Sequence, residues 1–335
     1  MCLTAGSKFT SMMEDVDDAA ATRFAPAADH HLHIQSAAVS AELRRVAATN
    51  PAVVAGLNPL LLEDRSGADA LRELDAAGIE QGVLLSEAYM FASVFASGAQ
   101  IGDRPALTRR ENAFNVEAAR ASGGRLKAFV SVSPFADFAH DELDHWISAG
   151  GAHGVKLHLA NSGFDPSNAA HIRAVAAVFA KVNHAGLPLL VHFRPSGDYG
   201  ADAVARIVDE VLPHAPDVTI QLAHAGGGGG LDPVTVEVFA AFTSAIARRS
   251  PGTEQLVFDL AAVLVVDPHD AAAAGRLDRF AGIARDVGLD RLLMGSDWPT
   301  LCSPRAHVGL LLAQFPFDDR EWRTIAGNRA SYLDS

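Results

Sequence analysis

From Ala28 almost to the C-terminus, short apolar runs alternate with stretches whose apolar residues recur every three or four positions. Short apolar runs bounded by turn residues read as buried strands of a parallel sheet, and the longer period reads as helix. Eight strands are predicted this way: Asp29–Ile34, Gly82–Leu85, Leu126–Val132, Gly154–Leu159, Leu189–Phe193, Val218–Ala223, Leu256–Leu260 and Arg291–Gly295. Between them, Ser167–Ala185 shows the helical stripe clearly, with Ile172, Val175, Phe179 and Val182 behind Ser167 as N-cap. Gly186 and Pro188 then end that helix and open the next strand. Further helices are predicted at Ser66–Ala77, Leu107–Ala121, Ala201–Leu212, Val234–Arg248 and Arg276–Val287. The links Gln35–Arg65 and Tyr89–Pro105 read as loops or short helices lying over a pocket.

Eight β-then-α units in 335 residues predict an α/β chain folded as a (β/α)8 TIM barrel, a single domain over residues 28–335. An open dinucleotide-binding sheet would carry G-x-G-x-x-G after its first strand, where this chain has His-Leu-His-Ile-Gln-Ser. The glycines Gly226–Gly230 follow the sixth strand instead, as a bare-backbone substrate contact or a flexible loop. Residues 1–27 read as a mobile or loosely packed N-terminal arm, with neither the basic start nor the apolar run of a signal peptide.

Composition narrows the function classes. Acidic residues outnumber basic ones 40 to 27, giving a formal charge of −13, and no Lys/Arg-rich run occurs. Nucleic acid and anionic membrane surfaces are therefore poor partners. No stretch is long and apolar enough to span a bilayer. Cys2 and Cys302 are too few for a disulfide framework, which fits a reducing, cytoplasmic setting. The expected partner is a small-molecule substrate, with a homo-oligomer left open.

The chemistry sits where the strands end, because barrel active sites form at the C-terminal face. The first strand carries Asp29-His30-His31-Leu32-His33. Strand alternation puts His31 and His33 on one side, where two imidazoles can share a metal ion. The fifth strand ends in His192, the sixth in His224, and the eighth in Gly295-Ser296-Asp297-Trp298-Pro299. Any one of these histidines alone reads better as a satisfied core residue; together they converge on one mouth. Nitrogen ligands with one carboxylate suit zinc, with manganese or iron as alternatives, and a catalytic site keeps one position open for water. Arg194, beyond His192 on the same face, can clamp a substrate carboxylate or pair with Asp198 or a helix carboxylate. His158, Lys156, Tyr89, Tyr199 and Trp298 are further candidates for lining the pocket. The remaining histidines, His140, His145, His171, His184, His214, His269 and His307, read as solvated surface.

The order D-x-H-x-H, G-V-K-L-H, L-P-L-L-V-H-F, A-H-A-G-G and G-S-D-W-P, with Ala326-Gly327-Asn328 near the end, resembles the amidohydrolase superfamily over about residues 28–333. Within it the chain looks similar to the amidohydrolase-2 group of metal-dependent hydrolases and decarboxylases. That resemblance implies that His31, His33, His192 and Asp297 bind one divalent metal ion. It also implies that His224 polarises the substrate carbonyl or moves protons, and that Asp297 activates the metal-bound water. In binuclear members a carbamylated lysine on the fourth strand bridges two ions. Here Lys156 lies about 6–7 Å deeper than His158 at ~3.3 Å of rise per residue, so it reads as an ion-pair partner or substrate contact and the site as mononuclear. The function implied is hydrolysis of a small carbonyl compound, a lactone or amide of a carboxylic acid. Its rival is non-oxidative decarboxylation of a small unsaturated or aromatic acid. Some decarboxylases of this kind replace the first histidine of the pair with glutamate; this chain keeps both. A barrel that only binds is the third class, but every expected catalytic residue type is present.

Overall fold

The computed structural model describes residues 18–54, 57–96, 101–194, 199–265, 267 and 269–334. Its centre is an eight-stranded parallel sheet in sequential order: β1 (Ala28–Leu32), β2 (Gln81–Leu85), β3 (Leu126–Ser131), β4 (Gly154–His158), β5 (Leu189–His192), β6 (Ile220–Leu222), β7 (Leu256–Asp259) and β8 (Leu292–Leu293). The ring closes through backbone bonds between β1 and the chain around and just beyond β8. His30 N donates to Met294 O at 2.9 Å, Asp297 N to His31 O at 2.7 Å and His33 N to Trp298 O at 2.7 Å. This is the predicted (β/α)8 barrel. Most strands stop one or two residues before the apolar runs do, because there the chain turns away from the ladder to present side chains at the mouth.

Helices surround the ring. Gly67–Ala77 starts on a capping box of Ser66 and Asp69, as S-x-x-D patterning favours. Ala169–His184 is capped by Asn168 rather than the predicted Ser167, whose hydroxyl bonds Asp165 Oδ1 at 2.7 Å instead. The Gln35–Arg65 link holds a full helix, Ala37–Thr49, and two 3-10 turns, Pro51–Val53 and Pro59–Leu62.

Alternating strand residues divide the core in two. Outward-facing side chains such as Leu32, Val155 and Phe258 pack against the helices. Inward-facing Ala28, Val83, Leu85, Phe129, Leu190 and Leu293 fill the barrel together with Ala330, Tyr332 and Leu333 of the C-terminal tail. The Phe129 ring occupies the space beside Gly154, where a Cβ would stand 2.5 Å from Cζ. The tail crosses the N-terminal opening. Asn328 Nδ2 donates to Leu289 O and Leu292 O, both at 2.7 Å, where the chain enters β8, and Arg329 reaches Gln81 Oε1 at the start of β2 at 2.6 Å. At the other end, Val39, Leu43 and Val46 pack on Tyr89, Met90 and Phe91 as a separate cluster over the mouth.

The N-terminal arm departs from expectation where it is described. Asp18–Arg23 is a short helix, and Ala21 and Phe24, three residues apart on one side, are buried in the outer core. Residues 1–17, including Cys2, lie outside the described residues.

Candidate active site

β1 loses its regular register to β2 between Asp29 and Leu32, and just there His31 and His33 turn toward the mouth with ring centroids 5.2 Å apart. Both meet one carboxylate oxygen: Asp297 Oδ1 is 3.4 Å from His31 Nε2 and 3.2 Å from His33 Nε2. Their other nitrogens are engaged. His31 Nδ1 donates to Asp259 Oδ2 at 2.9 Å, and His33 Nδ1 lies 2.8 Å from both the Leu85 carbonyl and Glu87 Oε1. A neutral ring whose Nδ1–H is held by an acceptor presents a lone pair at Nε2, the tautomer that metal ligation requires; His33, which meets a carboxylate at each nitrogen, would give up its Nε2 proton to take an ion. Ligand atoms of His31, His33 and Asp297 lie within 4.8 Å of one another and all three residues are buried. Two imidazole nitrogens and a carboxylate oxygen so placed fit a divalent ion of the zinc type.

His192 stands apart from that group. Its ring stacks on His158 at 4.2 Å and meets His224 edge-on at 4.7 Å. The His224 ring is 4.9 Å from that of His31, and its Nδ1 donates to the Ala261 carbonyl at 2.7 Å. Tyr89 stacks near His158 at 4.7 Å and donates its hydroxyl to Glu87 Oε2 at 2.6 Å.

The backbone here is unusual. His224, Ala225, Ala262 and Asp297 adopt φ between 53° and 58°, the left-handed region that non-glycine residues seldom occupy. Such conformations concentrate at functional sites, where surrounding bonds hold them in place. One such bond runs from His224 N to Asp259 Oδ1 at 2.8 Å.

Charge follows geometry. Burial alone would raise the Asp297 pKa, but the His33 hydrogen bond and the neighbouring imidazoles hold it below the usual carboxylate range. For His33, burial is outweighed by the charge of Glu87 and the bonds to Asp297 and Glu87, and its pKa rises to about 9. The pocket between these two groups therefore favours positive charge. His31 and His192 go the other way, lowered by burial and by their cationic or imidazole neighbours. Burial also lowers Lys156, against the pull of Glu87, Asp297 and Asp259.

The amidohydrolase family model matches residues 86–327. The chain belongs to the amidohydrolase family. Its fold is shared with a protein of Pseudomonas putida described as a 2-pyrone-4,6-dicarboxylic acid hydrolase (TM-score 0.60, 17% identity, 92% of this chain and 97% of that one). It is shared equally with 5-carboxyvanillate decarboxylase of Sphingomonas paucimobilis (0.59, 13%, 90% and 97%). A third likeness is to a Burkholderia multivorans amidohydrolase with bound zinc (0.58, 15%, 90% and 96%). No curated protein matches the sequence.

Other candidates of this amidohydrolase sit further from the His31–His33–Asp297 group or face elsewhere. Arg194 Nη2 pairs with Asp232 Oδ2 at 2.8 Å, the N-cap of helix Pro233–Ala247; Asp198 lies outside the described residues. The glycine run is packed: a Cβ on Gly227 would stand 2.4 Å from Thr235 Oγ1, and one on Gly228 2.8 Å from Arg194 Cδ. Trp298 is 3% exposed and belongs to the apolar layer under the helices. Tyr199 is buried, with its hydroxyl among the polar atoms that lack a hydrogen bond. His307, expected at the surface, is buried on helix Pro304–Gln314, and its Nε2 accepts from Ala262 N at 3.0 Å. The helix turns that histidine inward, where it satisfies a strained loop amide.

Two carboxylates beside the candidate ligands escaped the sequence reading. Glu87 follows β2 and Asp259 ends β7, and each holds one of the paired histidines. Inspecting all eight strand ends for any polar residue, rather than for histidine, would have found both.

Proposed function

We propose that this amidohydrolase is a metal-dependent hydrolase of a small carbonyl substrate, a lactone or amide of a carboxylic acid. The observation that carries this reading is the convergence of His31 Nε2 and His33 Nε2 on Asp297 Oδ1, with both Nδ1 atoms already bonded elsewhere. His31, His33 and Asp297, with His192 beside them, would hold one divalent ion, zinc or alternatively manganese or iron. When bound, such an ion supplies Lewis acidity, which polarises a carbonyl and makes water more acidic. Asp297, whose Oδ1 faces the two histidines, takes the proton of the attacking water at its second oxygen. The water oxygen bonds to the carbonyl carbon and the ester or amide bond breaks. His224, with its Nδ1–H committed to Ala261, offers a lone pair at Nε2; there it accepts the proton that Asp297 took from the water and hands it to the departing group as the bond breaks. Lys156, His158 and Tyr89 supply the donors and the wall that orient the substrate's carboxylate.

Elemental analysis of the purified protein, followed by a panel of lactones, amides and aromatic or enoic acids, tests this. About one divalent ion per chain is expected, with ring opening or amide cleavage and no release of carbon dioxide. His31→Ala combined with His33→Ala should empty the site; full metal in that double variant overturns the ligand assignment. Carbon dioxide released from an acid of the panel would replace hydrolysis by non-oxidative decarboxylation.

A further inference from the structure

The carboxylate that holds His31 is itself held, and the chain of contacts leads out of the mouth to the opposite end of the barrel. Asp259 accepts four hydrogen bonds. His31 Nδ1 at 2.9 Å and Gln221 Nε2 at 2.7 Å meet its Oδ2, and the backbone N–H groups of His224 at 2.8 Å and Ala261 at 3.2 Å meet its Oδ1. The amide and the two backbone groups can only donate, so Asp259 must accept, and His31 must carry its proton on Nδ1. One side chain thereby sets the tautomer of His31 and the left-handed backbone of His224. Gln221, pointing into the barrel from β6, has its amide direction fixed in turn. Its Nε2 also donates to the His30 carbonyl at 3.2 Å, and its Oε1 accepts the hydroxyl of Tyr332.

Tyr332 is in the tail that covers the N-terminal opening. Its ring meets Phe129 at 5.1 Å and His30 at 6.2 Å inside the barrel. Tyr332, Gln221, Asp259 and His31 are all at most 4% exposed, so water does not compete for any link. The tail lies beyond the residues 86–327 matched by the family.

We propose that Tyr332 is a positioning residue of the active site, acting through Gln221 and Asp259 to hold the His31 ring with its Nε2 lone pair toward Asp297. The inference rests on the reading of His31 as a metal ligand. Without the hydroxyl, the Gln221 oxygen is a buried acceptor with no donor. The amide is then held at its nitrogen alone, by Asp259 Oδ2 and the His30 carbonyl, and can tilt out of line; its N–H no longer fixes Asp259 Oδ2, and the carboxylate loosens its hold on the His31 N–H. A residue that orients a metal-ligating histidine is worth about 10- to 100-fold in metal affinity, and one acting at two removes belongs at the lower limit.

The test is calorimetric titration of Zn2+ into the metal-stripped full chain, with 15N NMR of the histidine rings of the metal-free protein. Tyr332→Phe keeps the aromatic packing and removes only the hydroxyl. It should weaken Zn2+ binding by about tenfold and move the His31 nitrogen signals away from a pure Nδ1–H tautomer. Asp259→Asn, which places an amide N–H where an acceptor is needed, should weaken binding up to about 100-fold; if it does not fold, Tyr332→Phe decides alone. Leu333→Ala loosens the same tail without touching the chain of bonds and should lower the melting temperature while leaving Zn2+ affinity unchanged. Wild-type affinity and unmoved His31 signals in Tyr332→Phe overturn the proposal, as does an equal loss of affinity in Leu333→Ala. A wild-type chain that binds no Zn2+, Mn2+ or Fe2+ brings down the metal reading itself, and this inference with it.

Discussion

Positive φ at His224 and Asp297 makes the choice of substitution at these residues a physical question before it is a chemical one. Left-handed backbone costs an ordinary residue on the order of 1–2 kcal/mol, and asparagine least among non-glycine residues. Asparagine at either position therefore tests the side chain while sparing the turn. Asp297→Asn keeps one oxygen for the histidines but puts an amide nitrogen where the proton acceptor stood, and turnover should fall on the order of 10²–10⁴-fold. His224→Asn should also slow turnover, but with metal content nearly intact, because His31, His33, His192 and Asp297 all remain. Rate and occupancy measured on the same preparation separate the two roles. Parallel loss of metal and activity in His224→Asn would make that residue a ligand and reject the mononuclear mechanism. A β-branched residue such as valine at 224 is expected to lose stability as well, through backbone strain alone.

At the scale of elements, the strands were legible because a strand buried on both faces is a near-continuous apolar run, as in Leu189-Leu190-Val191. The positions of His192, His224 and Asp297 were legible for the same reason, since each closes such a run. Helices Ala139–Ala149 and Asp319–Gly327 were not, because charged residues on their exposed faces interrupt the apolar period, and Pro304–Gln314 was not, because Val308 to Ala313 run apolar without a break and show no helical stripe. The supporting roles of Asp259 and Glu87 were hidden too: a lone carboxylate after a strand looks like a solvated loop residue until the facing imidazole is known. Glycine on β4 carried a signal that only packing explains. Gly154→Ala drives a methyl into the Phe129 ring, and overpacking of this kind costs about 1–3 kcal/mol. Phe129→Leu frees that space at its own cost. The double variant should then be more stable than the sum of the two losses allows, as contacting residues couple. Strict additivity in denaturant unfolding would show that the ring moves aside without strain.

The whole molecule is a barrel closed by its tail at one end and covered at the other by the excursion that begins at Ser36. Glu111, on helix Arg104–Ala121, fastens that cover by accepting the Ser36 hydroxyl and, at 3.4 Å, its backbone N–H. Burial raises the Glu111 pKa to about 7 from an ordinary 4.5, Ser36 pulling it down and the charge of Glu87 pushing it up. The sign of the consequence is fixed by proton counting. Between pH 4.5 and about 7 the folded chain holds a proton on Glu111 that the unfolded chain has released. Stability therefore falls as pH rises through this window. Above it the deficit is complete and on the order of 3 kcal/mol at most. Glu111→Gln keeps a carbonyl for the Ser36 amide and an N–H that the Ser36 hydroxyl can accept, but it has no charge to bury. Its melting temperature should match the wild type near pH 5 and exceed it by a few degrees at pH 8. Melting curves recorded from pH 5 to 8 check this, and a constant difference between the two proteins across that range would show that Glu111 does not set the pH response of the cover.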